Sequence, residues 1–217
     1  MSKNEIPQQF RNIFPFDQFN EMQSRCFPFA FNSCENLLVS APTGAGKTVI
    51  FELAIIRLHS MQANRKTVYV CPTKSLCTER KLDWQKKFSA VGITVCEITG
   101  DTDPKAVSEL KSSDIIITTP EKWDSVTRTW HDRRKLMSMI SLFLIDEVHM
   151  LKDGRGATLE AVVARMKAIL PNVRLLAISA TIRNLEDIAA WISSRQSGRK
   201  FAYFNVLTIQ RCKLTTI

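Results

Sequence analysis

An apolar run, Leu37-Leu38-Val39, breaks into Ala41-Pro42-Thr43-Gly44-Ala45-Gly46-Lys47-Thr48, and an apolar-periodic segment from Val49 to Leu58 leads away. No other stretch constrains the chain as strongly. Strand, glycine-rich loop and helix, with Gly-Lys-Thr at the junction, are the parts of a phosphate-binding loop in the order its geometry requires. Gly44 and Gly46 let the backbone curl so that successive N–H groups point inward at phosphate oxygens. A helix beginning near Lys47 adds its positive dipole end. Lys47 then reaches the β- and γ-phosphates, and the Thr48 hydroxyl takes one position on Mg²⁺. Ala41 stands where the usual template has glycine. The competing reading is a glycine-rich turn that binds nothing; the strand before the loop and the helix after it favour nucleotide.

The rest of the chain repeats this alternation. Short continuous apolar runs fall at 37–39, 67–70, 93–98, 115–117, 142–145 and 175–178. Helical patterns lie between them, near 49–60, 74–90, 103–111, 121–139, 157–169 and 184–194. Continuous rather than alternating apolar character marks strands buried on both faces. The expected fold is therefore α/β, a mostly parallel sheet with helices on both faces. Each polar signature follows the carboxyl end of a strand, where open parallel sheets bind ligands. Residues 1–15, polar and spaced by Pro7 and Pro15, read as an extended lead-in.

Composition narrows the partners. Thirty Lys and Arg against 21 Asp and Glu leave +9, an excess that points to a polyanion such as nucleic acid or to an acidic membrane surface. Six cysteines show no C-x-x-C pair and stand beside only three histidines, so no zinc constellation is expected. Several lie in strand-like runs, where a reduced thiol acts as a small hydrophobe. No secretory signal precedes them, which indicates a reducing compartment, cytosol or nucleus. The longest apolar runs are strand-sized, far short of a membrane span.

Two further features carry chemistry. Asp146-Glu147 directly follows the run ending at Ile145. An acid there can hold Mg²⁺ opposite Thr48, and its neighbour can orient or deprotonate an attacking water. The competing reading is a pair of acids favoured by a helix N-terminus. Gln23, just ahead of a helical pattern, offers an amide donor and acceptor that suit the edge of adenine. A core-facing helix start would explain its neighbours Phe19 and Met22 equally well. His149 alone reads as structural.

Taken in order, Gln23, Ala41–Thr48, Pro72–Leu76, Thr118–Lys122, Asp146–His149 and Ser179–Thr181 resemble the first motor lobe of superfamily 2 DExH-box helicases. The resemblance covers roughly residues 6–194, and Ala41 is ordinary in that superfamily. Phe51-Glu52-Leu53-Ala54, Thr99-Gly100-Asp101, Thr119–Asp124 and Arg155–Glu160 are similar to the Ski-like branch. Phe19-Asn20 before Met22-Gln23, the DEVH box, and Thr127-Arg128 followed by Trp130 resemble the meiotic crossover-promoting DNA helicases. The spliceosomal and alkylation-repair relatives, which include RNA helicases, are the close alternative.

The resemblance implies a RecA-like P-loop NTPase lobe over 16–194 that uses ATP and Mg²⁺, binds DNA as a single or branched strand, and works as a monomer in the nucleus. It assigns Gln23 to adenine; Ala41, Pro42, Thr43, Gly44, Ala45, Gly46, Lys47 and Thr48 to the phosphates; and Thr48 with Asp146 to Mg²⁺. Glu147 becomes the catalytic base. His149, Ser179, Ala180 and Thr181 couple hydrolysis to strand movement. Pro72, Thr73, Lys74, Gly100, Thr119, Pro120 and Lys122 track the nucleic-acid backbone. Backbone amides, hydroxyls and lysines are suited to that task, because they bind phosphates without reading sequence. The basic clusters Arg128/Arg133/Arg134/Lys135 and Lys81/Lys86/Lys87 are read as solvated helix faces.

Two departures stand out. Arg183 occupies a place where proline is usual, and the match fades after Trp191-Ile192, leaving 195–217 as a divergent tail in which Phe201–Ile217 reads as a strand-like apolar run. No second RecA-like lobe is expected within the 217 residues, which leaves a fragment, an isoform or a partial gene product as readings. A pure binding module is the competing function. A guanine-nucleotide enzyme is disfavoured, since no Asn-Lys-x-Asp signature is present.

Overall fold

The computed structural model describes residues 1–62, 64–100, 106–149, 156–180, 185–193, 201–205 and 210–214. In chain order the helices are α1 (Glu21–Ala30), α2 (Thr48–Met61), α3 (Lys74–Ser89), α4 (Ala106–Ser112), α5 (Pro120–Arg128), α6 (Arg134–Met139), α7 (Gly156–Ile169) and α8 (Leu185–Ile192). The strands are β1 (Asn36–Ser40), β2 (Lys66–Val70), β3 (Val95–Ile98), β4 (Ile115–Thr118), β5 (Ile140–Ile145), β6 (Arg174–Ser179), β7 (Phe201–Asn205) and β8 (Gln210–Leu214). They form one sheet in the order β3-β4-β2-β5-β6-β1-β7-β8, parallel except for the last pair.

Alternate residues of each strand feed two cores. Leu37 and Val39 face the layer built from α1, α2 and α3, whereas Leu38 faces the layer of Trp123, Val126, Val162, Met166 and Ile188. Leu144 and Ile145 divide in the same way. Burial on both faces is why the strands read as unbroken apolar runs.

Two expectations need correction, and a third is refined. The first concerns residues 1–15, which are not an extended lead-in. They form 3₁₀ turns at Lys3–Glu5 and Gln8–Ile13, and bury Ile6, Phe10, Ile13 and Phe14 in the first core. Phe14, Phe16, Phe19, Phe27 and Phe31 continue this contact as a chain of rings with centroids 5.2 to 5.6 Å apart. The signal was the spacing of Ile6, Phe10 and Ile13 at four and three residues, masked by the polar residues between them. Ile13→Val is therefore expected to cost about 1 kcal/mol of unfolding free energy in urea. A solvated segment would show no change.

The second is the helix expected over 121–139, which is broken. Thr127 Oγ1 turns back to the Trp123 carbonyl at 2.8 Å, and a 3₁₀ turn at Trp130–Arg133 separates α5 from α6. The Trp130 and His131 rings lie 3.8 Å apart, a pairing that consecutive positions of an α-helix do not permit.

The third is the tail. β7 pairs in parallel with β1, and β8 returns antiparallel beside it. Ala202 and Tyr203 are buried, and the Tyr203 hydroxyl donates to Glu186 Oε1 at 3.2 Å. The strand-like run thus lies directly beside the strand leading into the phosphate loop, a place that nothing in its own residues indicates.

Candidate nucleotide and nucleic-acid site

Strand order sorts the chemistry along one rim. Across the carboxyl ends of β1, β6, β5, β2, β4 and β3 come, in turn, the phosphate loop, Ser179-Ala180, Asp146-Glu147, Pro72–Lys74, Thr119–Lys122 and Gly100. The acid pair thus stands between the loop and the two hydroxyl-and-lysine segments. Backbone bonds stitch the neighbours together. Ala41 N donates to Ser179 O at 3.2 Å, Asp146 N to Val70 O at 2.9 Å, and Cys71 N to Thr118 O at 3.0 Å.

The loop is shaped by its glycines. Gly44 and Gly46 have φ of 81° and 78°, a region that side chains disfavour. A Cβ on Gly46 would meet Gln23 Nε2 at 2.5 Å, so a larger residue there would displace the Gln23 amide as well as strain the backbone. Lys47, only 7% exposed, donates to the carbonyls of Ala41 at 2.8 Å and Pro42 at 3.1 Å. Ala41 itself is fully buried, which explains why alanine serves there.

Gln23 is more committed than its sequence role implies. Its Oε1 accepts from Asn20 N at 3.0 Å, and its Nε2 donates to Gly46 O at 3.2 Å. Asn20 Oδ1 accepts from Gln23 N, and Asn20 Nδ2 donates to Ala45 O. These two residues cap α1 and fasten it to the phosphate loop. One amide hydrogen and one lone pair of Gln23 remain for a base.

Asp146 is held from two sides. Oδ1 accepts from Glu147 N at 2.9 Å, and Oδ2 accepts from the Tyr69 hydroxyl. Burial pushes the Asp146 carboxyl above its usual range, opposed by the Tyr69 bond. Burial likewise raises the Tyr69 phenol well above its ordinary value, so it stays a donor. The Thr48 hydroxyl and the half-buried Asp146 carboxylate are hard oxygen donors of the kind Mg²⁺ takes, and a carboxylate that desolvation works against keeping ionised is one a divalent cation would stabilise. One carboxylate and a hydroxyl, completed by phosphates and water, fit that ion better than an all-protein cage would.

Glu147 has φ of 50°, the left-handed region that a glutamate rarely adopts. That turn places its Oε2 3.1 Å from His149 Nδ1, within ion-pair distance though not aligned as a hydrogen bond. Ser179 Oγ approaches the same nitrogen at 3.5 Å. His149 therefore bridges the β5 and β6 ends, and Ser40 Oγ donates to Ala180 O at 3.2 Å to tie in β1. Thr181, Asp101 and Arg155 lie outside the described residues.

A groove of about 570 Å³ is lined by Pro72, Thr73, Lys74, Gly100, Thr119, Glu121, Lys122 and Ser125. Thr73 and Thr119 cap α3 and α5, accepting from Leu76 N and Lys122 N, so two positive helix ends open onto the groove. Pro120 begins α5, at the position where a missing N–H costs nothing. Of the basic clusters, Lys87 is occupied by Glu52 at 2.7 Å and Arg128 by Asp124 at 2.8 Å. Glu52, 1% exposed, also accepts from Trp84 Nε1 at 3.1 Å and binds α2 to α3. Sequence reasoning gave Tyr69 no place at the site, and named Asn20 and this glutamate only as marks of the resemblance, since each reads locally as a core or cap residue.

Comparison with known proteins gives the family. The sequence pattern of the family described as DEAD/DEAH box helicase matches residues 20–188. The chain is 45% identical over 198 residues to the ATP-dependent DNA helicase MER3 of Saccharomyces cerevisiae and 50% identical over 208 residues to the probable ATP-dependent DNA helicase HFM1 of Mus musculus. The RQC trigger complex helicase SLH1 of Saccharomyces cerevisiae is 42% identical over 194 residues. These alignments cover 89%, 87% and 86% of the chain but only 16%, 14% and 10% of the relatives. Among solved structures, the DUF1998 helicase MrfA bound to DNA and AMPPNP superposes with a TM-score of 0.81 at 21% identity, over 92% of this chain and 29% of that one. A family match that runs from the cap of α1 into α8, over a sheet whose rim is ordered in this way, makes the chain a member of the DEAD/DEAH box helicase family.

Proposed function

We propose that this chain forms the ATP-binding lobe of an ATP-dependent DNA helicase of the meiotic crossover-promoting group, active in the nucleus. The observation that carries the reading is the contiguity of the rim. The acid pair lies between the phosphate loop and the strand-binding groove, so one sheet end serves both. On this reading the loop amides and Lys47 bind the phosphates, Gln23 meets the base, and Glu147 orients the attacking water. Bound Mg²⁺ neutralises charge on the phosphates. Asp146 and Thr48 would hold it. His149, between Glu147 and Ser179, moves when either strand end moves, which suits coupling. DNA is favoured as substrate by the relatives named DNA helicases, at 45% and 50% identity.

The groove offers hydroxyls, lysines and helix ends but, among the described residues that line it, no aromatic for reading bases. Strand binding is therefore expected to be nearly sequence-blind and steep in salt. For a single strand each neutralised phosphate contributes a slope of about −0.7 in log K against log salt. Replacing Lys74 and Lys122 together with alanine should flatten the slope by about 1.4, measured by anisotropy of labelled oligonucleotides of unrelated sequence. An unchanged slope, or a strong preference among those oligonucleotides, would overturn the groove assignment.

A further inference from the structure

The hydroxyl of Tyr69 is a buried donor that the assigned roles leave unused. It is given to Asp146 Oδ2 across 77 residues of chain, from β2 to the end of the neighbouring strand β5. The ring is fixed from both sides. Phe51 of α2 meets it edge-on at 5.8 Å, and Trp84 of α3 does so at 4.9 Å. Phe51 lies three positions after Thr48 on the same helix, and Trp84 is held by the Glu52 carboxylate. The phenol thus stands where the helix carrying the Thr48 hydroxyl and the helix opening on the nucleic-acid groove converge on the Asp146 carboxylate. Tyr69 is itself only 1% exposed, so its hydroxyl is shielded from bulk water. Oδ1 is fixed separately by the Glu147 amide. A carboxylate with each oxygen tied once has a single orientation, and its remaining lone pairs point in set directions.

We propose that Tyr69 is a positioning residue for the cation-binding carboxylate, its hydroxyl locking Asp146 in the orientation that serves Mg²⁺. The inference rests on the reading of Asp146 as that carboxylate. Partners behind a metal ligand typically change metal affinity by about 10–100-fold when removed. Tyr69→Phe keeps the ring and its contacts with Phe51 and Trp84 and deletes one oxygen, so the packing that supports the fold remains.

The test is binding of a fluorescent, slowly hydrolysed ATP analogue to the purified 217-residue protein, in EDTA and across a Mg²⁺ titration. Tyr69→Phe should raise the Mg²⁺ concentration for half-maximal tightening by about tenfold, at the lower end of the range for such partners, with the affinity in EDTA unmoved. Asp146→Asn should abolish the Mg²⁺ dependence. If Tyr69→Phe follows the wild-type Mg²⁺ curve while Asp146→Asn is flat, the positioning role is wrong and the metal assignment stands. Equal weakening with and without Mg²⁺ would also overturn it, since that is what general loss of packing produces. If Asp146→Asn itself keeps the wild-type curve, the metal assignment fails and the inference falls with it.

Discussion

Turnover of ATP by the purified 217-residue chain is expected to lie far below that of a two-lobed motor of this family, although the nucleotide still binds. The groups proposed to hold phosphates and Mg²⁺, namely Lys47, Thr48 and Asp146, all sit on the rim of one sheet. Charge developing on the γ-phosphoryl group needs more. By family resemblance an arginine from an opposing lobe supplies it, a contribution of about 10³–10⁵ in rate. That range is about 4–7 kcal/mol of barrier. Among the described arginines, Arg165 binds Asp124 at 2.6 Å, Arg174 caps the end of α1 through Phe29 and Ala30 carbonyls, and Arg80, which stands near Asp146 and Tyr69, pairs with Asp83 at 3.2 Å. Glu147→Gln should then change the measured rate little, because activating the water is not what limits it. Steady-state assays with and without single-stranded DNA decide the matter. Robust DNA-stimulated turnover that disappears in Glu147→Gln would falsify the expectation.

Lys47→Ala should weaken ATP-analogue binding by about 30- to 1000-fold. In the free lobe the ammonium already has two partners, the Ala41 and Pro42 carbonyls. Binding exchanges these neutral acceptors for anionic phosphate oxygens, so only the difference counts. Hydrogen bonds to charged groups contribute about 1.5–3 kcal/mol each, and a net loss of about 2–4 kcal/mol corresponds to that range of affinity. Stability should fall as well, since the carbonyl of the fully buried Ala41 loses its donor, whereas that of the exposed Pro42 can find water. Lys47→Arg should not restore affinity, because a planar fork cannot replace a compact point charge in a cavity of this shape. Titration of the fluorescent analogue, paired with thermal melts, separates lost binding from lost folding. Affinity within threefold of wild type would return the loop to a plain turn.

Much of this site is legible in the amino-acid sequence. The phosphate loop is a local object: glycines at φ near 80°, a lysine and a threonine at a helix start lie within eight residues. The acid pair and the Thr73 and Thr119 caps are local as well, each following an apolar run. Their function depends on chemistry a few bonds apart, so spacing along the chain is enough. The buried strands are legible for the same reason, since a run of four apolar residues has few other uses.

Other features depend on partners far away in sequence. The β7 strand has value only because β1 offers it an unpaired edge, and nothing within Phe201–Asn205 names that partner. The 3₁₀ turns at the start are held by Phe19, Phe27 and the α1 face, not by their own propensity. Tyr69 in isolation is a core aromatic on a strand. It acquires a role when β5 settles beside β2 and sets Asp146 against its hydroxyl. Gln23 braces the phosphate loop through Gly46, a contact set by how α1 packs on α2.

The division has a physical cause. Turn chemistry, capping and apolar periodicity are properties of neighbouring residues, and the chain by itself determined them here, together with the class of ligand. Strand order, ring stacking and the bonds to Asp146 arise from packing two cores against one sheet. Burial is shared among residues distant in sequence, and many sequences satisfy it equally well. Those contacts decided which side chains stand behind the reacting groups, and only the tertiary structure placed them.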